Sequence, residues 1–343
     1  MEFHILHIPL FITLYIISIA VHELGHLIFG LATGYKFSSF RIMSFMWIKD
    51  GEKIKFKRMK ILGTEGQCLM SPPDLDSEGR LPVFLYNMGG VIVGAVFALI
   101  QLVFALIMTD NQFWYTFFMS GAVFNAVICL LNGIPMSSGG INNDGHNAIS
   151  LGKSKEAMRA FRLQMLINTS HARGLRVKDM PIEWFYLPSP NDMSNSMVST
   201  MAVFYCDRLM DEGRYAEADA LMSDLISQKN GIVGIHKKLM VCERIFCELI
   251  GECRFEEVDS FLIREQEKFM KQMETFPTVI RTKYALALLR DHNESEAKVL
   301  RSKYEQVCRT YPYKAGIESE NEMMDIIDRK YAQVCSQCEA IEK

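Results

Sequence analysis

The sequence HELGH at residues 22–26 places two imidazoles and one carboxylate at spacings that suit metal chemistry. On a helix, His22 and His26 lie one turn apart on the same face, as two ligands of one ion must. Glu23 directly follows the first ligand and can reach a water molecule held by that ion. The pattern H-E-x-x-H is typical of zinc peptidases, in which the glutamate is the general base. The sequence therefore predicts Zn²⁺ at His22 and His26, with Glu23 as the catalytic residue.

This motif lies in an apolar stretch, residues 3–31, in which Glu23 is the only acidic or basic residue apart from histidines. Residues 81–108 and 113–135 form two further stretches without Asp, Glu, Lys or Arg. Each exceeds the roughly 20 residues that a helix needs to cross a bilayer. A cleaved signal peptide is the alternative for the first stretch, but the basic amino-terminal region of such a peptide is absent from it. We predict three transmembrane helices, with the metal motif inside the first.

The distribution of basic residues predicts the orientation of these helices. All nine Lys and Arg of the first 150 residues lie between Lys36 and Arg80. The positive-inside rule places this segment in the cytosol, so that the amino terminus is outside and the chain after residue 135 is cytosolic. The protein is thus expected to be a multi-pass integral protein of the cell membrane, in contact with the lipid bilayer. A net charge of −3 gives no general attraction to nucleic acid, and none is expected as a partner.

Two histidines leave a zinc ion short of one protein ligand. The sequence LLNGIPMSSGGINNDGHNAI at residues 130–149 follows the third stretch and offers Asp144 and His146, either of which suits zinc by residue type. Gly145 would let the backbone turn the Asp144 side chain toward the first helix. His146 looks like the start of the next helix, facing away. Asn142 or Asn143 could hydrogen-bond to the ligands and orient them.

Three features together resemble the site-2 protease family of intramembrane zinc metalloproteases. They are the membrane-embedded HELGH, the glycine cluster YNMGGVIVGAV in the second stretch, and Asn132-x-x-Pro135 followed by Asp144-Gly145. The resemblance covers about the first 150 residues. The interval between Asn132 and Asp144 is longer than is usual in the family, and SSGGIN looks like an insertion.

The resemblance implies roles for individual residues. His22, His26 and Asp144 would bind zinc, Glu23 would be the base, and Asn132 and Pro135 would belong to the segment that shapes the substrate site. The activity implied is intramembrane endopeptidase, which hydrolyses peptide bonds in or near transmembrane segments of small membrane proteins or peptide precursors.

Between the first two stretches, Asp50-Gly51 separates two runs rich in Ile, Phe and Met and predicts a membrane-associated β-hairpin. In KIKFK, Ile54 and Phe56 would share one face and the lysines the other. One interpretation is a lid over apolar surface, with lysines on lipid phosphates. The other is an edge strand that pairs with an unwound substrate. The resemblance favours the second, and the residues alone do not decide.

After Gly152 the chain becomes charged, with 28 basic and 30 acidic residues. A helix at 153–168 and a Pro-rich connector lead to LMDEGRYAEADALM and LIGECRFEEVDSFL, which align at an offset of 40, and to a fainter copy, LLRDHNESEAKVLR. We predict helical hairpins that resemble tetratricopeptide repeats. A plain helical bundle is the alternative. Cys335 and Cys338 are expected to be an exposed pair of thiols.

The predicted fold class is mainly α, with a polytopic membrane zinc metalloprotease core and a soluble helical-repeat domain. The domains are expected at 1–150 for the transmembrane protease, 151–193 for the helix and connector, and 194–343 for a cytosolic helical domain with a protein partner. The alternative function is a weak or inactive membrane scaffold whose helical domain docks that partner.

Overall fold

The computed structural model describes the backbone of residues 7–59 and 65–341 and the side chains of residues 8–59 and 65–336. The chain forms two compact units, Met1–Thr169 and Ser170–Lys343. The predicted start of the first span at residue 3 and the thiol of Cys338 lie outside the described residues. The predicted domain limits at 150 and 193 stay predictions.

Three long helices dominate the first unit: α1 (His7–Ala32), α2 (Val83–Ile107) and α3 (Gln112–Gly133). Each is long and apolar enough to cross a membrane, which confirms the three candidate spans. Leu99, Leu106 and Ile107 are each more than 60% exposed, as is expected of side chains that face lipid. The helices therefore carry their apolar surface outward as well as inward.

Helix α2 packs against both α1 and α3. Its contact with α1 is a backbone contact, because a Cβ atom on Gly25 would lie 2.3 Å from the Gly89 carbonyl oxygen. Its contact with α3 includes a buried hydrogen bond of 2.9 Å from Asn125 Nδ2 to Gln101 Oε1. Small residues and polar side-chain pairs are the usual means by which helices associate in lipid.

An antiparallel sheet follows α1 and consists of β1 (Lys36–Ile42), β2 (Phe45–Asp50), β3 (Lys53–Arg58) and β4 (Gly66–Ser71), in the order β3-β2-β1-β4. The predicted hairpin is confirmed, with Asp50 opposite Lys53 and residues 51 and 52 as its loop. The sequence did not reveal that β1 and β4 extend this hairpin into a four-stranded sheet. Both of these strands contact α1, so the sheet lies beside the helix that carries the HELGH motif.

Strand β3 forms one edge of the sheet and alternates as predicted, but its apolar face is not buried. Ile54 is 62% exposed and Phe56 is 54% exposed. The Phe56 ring lies 6.0 Å from the ring of Phe45 and 5.7 Å from that of Trp47. We call Phe45, Trp47, Ile54 and Phe56 the aromatic patch.

After α3 the chain forms a miniature hairpin, β5 (Ser137–Ser138) and β6 (Ile141–Asn142), and then α4 (Asp144–Ser150) and α5 (Lys155–Ala172). Gly139 and Gly140 are the hairpin loop and both have positive φ, 58° and 85°. Two consecutive left-handed residues are what a type I′ turn requires. The inserted sequence SSGGIN therefore closes on itself and returns the chain to the end of α3.

The second unit is helical throughout its regular structure. A helical turn at Leu286–Arg290 extends α11 with π-type hydrogen bonding. The α-helices are α6 (Ser196–Asp211), α7 (Tyr215–Ser227), α8 (Gly234–Ile250), α9 (Phe255–Phe261), α10 (Arg264–Gln272), α11 (Pro277–Ala285), α12 (Glu294–Thr310) and α13 (Lys314–Ile341).

Each of the three recurring sequences folds as a helix, a tight turn and a helix: α6–α7, α8–α9 and α11–α12. Each turn contains a left-handed residue, namely Gly213 at φ 74°, Cys253 at 60° and His292 at 49°. The units are unequal, because α9 ends after seven residues and α10 follows as a separate helix. The likeness to tetratricopeptide repeats stays a prediction.

The connector lies against the helices of the second unit. Arg176 Nε donates to Asp211 Oδ1 at 3.1 Å, and Arg208 Nη1 donates to the Met180 carbonyl at 2.9 Å. Residues 176–180 are therefore part of the packed structure of this unit and not a free linker.

Candidate metal centre

The two histidines of HELGH face the same point from α1. Their Nε2 atoms are 3.1 Å apart, and both residues are buried. Asp144, the first residue of α4, places Oδ2 3.0 Å from His22 Nε2 and 3.3 Å from His26 Nε2. The structure thus brings together, from sequence positions 122 residues apart, the three predicted ligands.

The geometry of these three atoms fits zinc. A tetrahedral zinc ion with bonds of about 2.0–2.1 Å has ligand atoms about 3.3–3.4 Å apart. The three separations seen here, 3.0, 3.1 and 3.3 Å, are close to that value. Two imidazole nitrogens and one carboxylate oxygen are also a donor set that zinc takes in catalytic sites, where three protein ligands leave the fourth position open.

A hydrogen bond fixes which nitrogen of His26 faces the centre. His26 Nδ1 lies 2.8 Å from the carbonyl oxygen of Tyr86 on α2. Since a carbonyl only accepts, Nδ1 carries the proton, and in the neutral ring Nε2 presents its lone pair. A backbone partner of this kind is the usual means by which a metal-binding histidine is oriented.

Gly90 of α2 forms the wall behind both imidazoles. A Cβ atom there would lie 2.7 Å from the Nε2 atom of His22 and 2.7 Å from that of His26. Any side chain at this position would therefore overlap both ligands. The glycine cluster was recognised in the sequence, but that one of its members borders the metal ligands was not.

Asp144 is held in place through the neighbouring Asn143. The Asn143 Oδ1 atom accepts from the backbone N–H groups of Met136 and His146, both at 3.0 Å, and its Nδ2 donates to the Leu131 and Ile134 carbonyls at 2.7 and 2.6 Å. These bonds join the end of α3, the miniature hairpin and the start of α4. Asn143 therefore positions Asp144 through the backbone, whereas the sequence suggested a hydrogen bond to the ligands themselves.

Glycine is required at position 145 for a different reason from the one that the sequence suggested. It is helical and lies in the first turn of α4, so it does not turn the chain. A Cβ atom there would lie 2.1 Å from the carbonyl oxygen of Gly133. Glycine is required because α4 begins in contact with the last turn of α3, which brings Asp144 close to α1.

The charge of Asp144 is favoured by its partners. Burial on its own raises the pKa of this carboxyl group, but the hydrogen bonds that His22 and His26 donate to it when their Nε2 atoms carry protons outweigh burial, and the pKa is lowered. Asp144 is therefore an anion at neutral pH. Carboxylates bind metal ions in this form.

Glu23 lies beside the cluster, half-buried, under the start of strand β4. A Cβ atom on Gly66 would lie 2.4 Å from Glu23 Oε1, so glycine leaves the space that the carboxylate occupies. The carboxylate is within electrostatic range of the three ligands and of Arg41. This placement beside the ligands fits the predicted role of Glu23 as a base that acts next to the metal.

Arg41 of β1 is a functional candidate that the sequence did not reveal. It is only 1% exposed, and its guanidinium donates to the Met43 carbonyl at 2.6 Å and to the Gly66 carbonyl at 3.3 Å. It thereby ties the strand that covers Glu23 to β1. In the sequence, Arg41 is a lone arginine between apolar residues, and nothing there indicated its burial.

The other predicted residues lie nearby but outside the ligand set. Asn132 is in the last turn of α3, where Nδ2 donates to the Ile128 carbonyl at 3.0 Å, and Pro135 is exposed just after this helix. Among the described residues, His146 is not in the group of donors formed by the two histidines and Asp144. The substrate role of Asn132 and Pro135 stays a prediction.

A His-His-Asp donor set formed by α1 and α4, beside a glutamate and among three apolar helices, is what a membrane metalloprotease requires. A family model described as Peptidase family M50 matches residues 10–305. The chain therefore belongs to peptidase family M50, whose members are zinc metalloproteases, and the resemblance to site-2 proteases is confirmed. No curated protein matches the chain. No solved structure matches it either.

Proposed function

We propose that this protein is a zinc endopeptidase of the site-2 type, which cuts peptide bonds in or near transmembrane segments of small membrane proteins or peptide precursors. The observation that carries the proposal is the convergence of His22, His26 and Asp144 beside Glu23. The M50 family match supports the same activity. The nature of the substrate follows from the position of His22, Glu23 and His26 on a helix that is apolar enough to lie in a bilayer.

His22, His26 and Asp144 would hold the zinc ion, which when bound supplies a Lewis acid that polarises the scissile carbonyl and lowers the pKa of water. Glu23 accepts one proton from the attacking water as the water oxygen bonds to the carbonyl carbon. Glu23 then returns that proton to the amide nitrogen as the C–N bond breaks. Asp144 and the Tyr86 carbonyl hold the histidines in place throughout.

Strand β3 supplies a place for the substrate. Its outer edge is unpaired within the described sheet, and a protease must unwind a helical peptide before water can reach a carbonyl. The substrate would add to this edge, with the aromatic patch beside it and Asn132 and Pro135 shaping the far side of the site. His26 precedes Gly34 by eight residues, or about 12 Å of helix, so cleavage would occur within the membrane near its cytosolic side.

The same proposal places residues 36–80 and the carboxy-terminal unit in the cytosol, with the second unit available to a protein partner. Single cysteines at Lys53 and at the exposed Lys298, in a chain whose native cysteines are replaced, test this topology. We expect labelling by a membrane-impermeant maleimide only after the cells are opened. Labelling of either position in intact cells would contradict it.

The activity is tested by comparing membranes that contain the wild-type protein with membranes that contain Glu23→Gln. We expect single-span precursors to accumulate with the variant, and the purified variant to keep its zinc, because only the base is changed. Equal precursor levels in both membranes would contradict proteolysis and favour the alternative function, an inactive scaffold. Loss of zinc from Glu23→Gln would contradict the assigned role of this residue.

A further inference from the structure

A cavity of about 980 Å³ lies at the amino-terminal end of α2. Its lining comes from three segments of the first unit: the loop that precedes α2, the first turn of α2, and the chain from α4 to the start of α5. This volume is at the upper end of the range in which proteins bind small molecules. None of the proposed catalytic or metal-binding residues lines it.

The polar part of the lining is positively charged. Arg80, Lys153 and Lys155 contribute three cations, and Glu78 contributes one carboxylate, which pairs with Arg80. Among the side chains of residues 8–59 and 65–336, neither lysine has a carboxylate partner in an ion pair. The described residues that line the cavity therefore carry an excess of positive charge.

The rest of the lining is apolar and continues onto a surface that would face lipid. Phe84 and Leu85, in the first turn of α2, line the cavity and are 55% and 41% exposed. Because α2 is a candidate span that begins at Val83, the cavity lies where hydrocarbon gives way to headgroups. Cations at the headgroup level above an apolar wall match the two ends of a phospholipid.

We propose that this cavity binds the phosphate-bearing headgroup of an anionic phospholipid, with the start of an acyl chain against Phe84 and Leu85. The inference rests on the insertion of α2 in a membrane but not on protease activity. The predicted orientation puts the cavity on the cytosolic side, where anionic lipids attract clustered Lys and Arg.

The position of the cavity links the lipid to the metal centre. Ala148 and Leu151, which line the cavity, follow Asp144 in α4 and the turn after it. Both are buried, so a headgroup bound here would contact the same short helix that presents the third ligand. An occupied cavity holds α4 against α2 and thereby slows the loss of zinc from Asp144.

The test uses the full-length protein in detergent, titrated with short-chain phosphatidylglycerol or phosphatidylcholine and followed by native mass spectrometry. We expect wild type to bind phosphatidylglycerol more tightly. Lys153→Gln/Lys155→Gln should bind it about 30-fold more weakly, since each lysine near the headgroup strengthens binding about 5-fold. Lys153→Arg/Lys155→Arg should keep the preference, as should the control Lys229→Gln/Lys268→Gln, which removes two exposed lysines of the second unit.

Equal binding of the two lipids by wild type would overturn the proposal, and so would wild-type behaviour of the glutamine variant. If inorganic phosphate bound as tightly as phosphatidylglycerol, the proposal that the phosphate group belongs to a lipid would be overturned. Zinc release to a chelator is the second readout: phosphatidylglycerol should slow it in wild type and not in the glutamine variant. Since lipid binding is measured without turnover, a failure of the proposed protease activity would leave this result interpretable.

Discussion

The two units bury charged groups in opposite ways. In the second unit, Arg281 is fully buried between two carboxylates, with Nη2 2.6 Å from Glu243 and Nε 2.6 Å from Glu320. Arg176 likewise joins Asp211 to Glu322. Each of these clusters contains its own opposite charge. Such clusters hold helices together and need no further partner.

In the first unit, the buried cluster consists of two imidazoles and one carboxylate. His22 and His26 present nitrogen lone pairs when neutral, and Asp144 is an anion. Their close approach is favourable only with positive charge at the centre, either protons on the imidazoles or a metal cation. The comparison teaches that buried charge alone does not mark a functional site. What distinguishes the metal centre is a donor set that requires a cation.

The largest expected effect comes from filling the space behind the ligands. Gly90→Ala would place a methyl group 2.7 Å from the Nε2 atoms of His22 and His26, which must then move apart. Because a displacement of about 1 Å in a catalytic site costs about 100-fold, we expect peptide cleavage to fall at least about 100-fold. Cleavage of an accumulated precursor in detergent measures this effect, with zinc content in parallel.

Gly94→Ala, one turn further along α2, is the matched control. Its new methyl group meets only the end of the Cys129 side chain, at 2.9 Å. We expect it to keep its zinc and most of its cleavage. Equal loss of zinc in both variants would show that helix packing in general, and not the ligand wall, is what Gly90 protects.

The next effect belongs to the second unit. Arg281→Met leaves Glu243 and Glu320 buried without a cation, and we expect it to lower the free energy of unfolding by about 3–5 kcal/mol. Lys298→Ala, at an exposed pair with Glu294, should cost at most about 0.5 kcal/mol. Denaturant unfolding of residues 170–343, followed by circular dichroism, measures both. Arg281→Met should leave the zinc content of the full chain unchanged. A fall in zinc content would contradict the separation between the metal centre of the first unit and the ion pairs of the second.

A smaller effect depends on pH. Burial raises the pKa of Asp211, but hydrogen bonds from Arg176 and the Lys178 backbone outweigh burial and lower it, and the hydrogen bond from Arg176 lowers the pKa of Glu322. Groups with lowered pKa stabilise the folded state above their unfolded pKa of about 4, and this stability is lost as the pH falls through the folded values. Arg176→Met should therefore cost about 1–2 kcal/mol at pH 7 and less at pH 3.

Thermal unfolding of residues 170–343 at several pH values measures the Arg176 effect. Residues 194–343, the domain that the sequence predicted, lack Arg176 altogether and should unfold at a lower temperature than 170–343 at pH 7. Both fragments are expected to be soluble, helical and without protease activity. A cost of Arg176→Met that grew as the pH fell would contradict the sign of the shifts.

The sequence was sufficient for those features that depend on local pattern. Apolar length predicted α1, α2 and α3, the spacing of HELGH predicted the face shared by His22 and His26, and Asp50-Gly51 predicted the β2–β3 hairpin. The recurrence of LMDEGRYAEADALM predicted the tight helix–turn–helix segments. In each case neighbours within about ten residues decide the structure.

Features that depend on distant neighbours were missed. Strands β1 and β4 join the sheet by pairing across the chain, and KFSSFRI and GQCLMS lack regular alternation. The roles of Gly66, Gly90 and Gly145 follow from atoms of other elements that lie within 3 Å of the position that a Cβ atom would take, which no spacing in the sequence encodes. The helix α10 was also missed, because its sequence belongs to none of the recurring copies.

The most direct test of the metal centre compares Asp144→Ala with His146→Ala, since both residues lie in α4 and either suits zinc by type. Zinc is counted by mass spectrometry on the two purified variants and on wild type. We expect one zinc per chain in wild type, most of it kept in His146→Ala, and most of it lost from Asp144→Ala together with all cleavage. A zinc-loaded Asp144→Ala beside a zinc-free His146→Ala would contradict the centre described here.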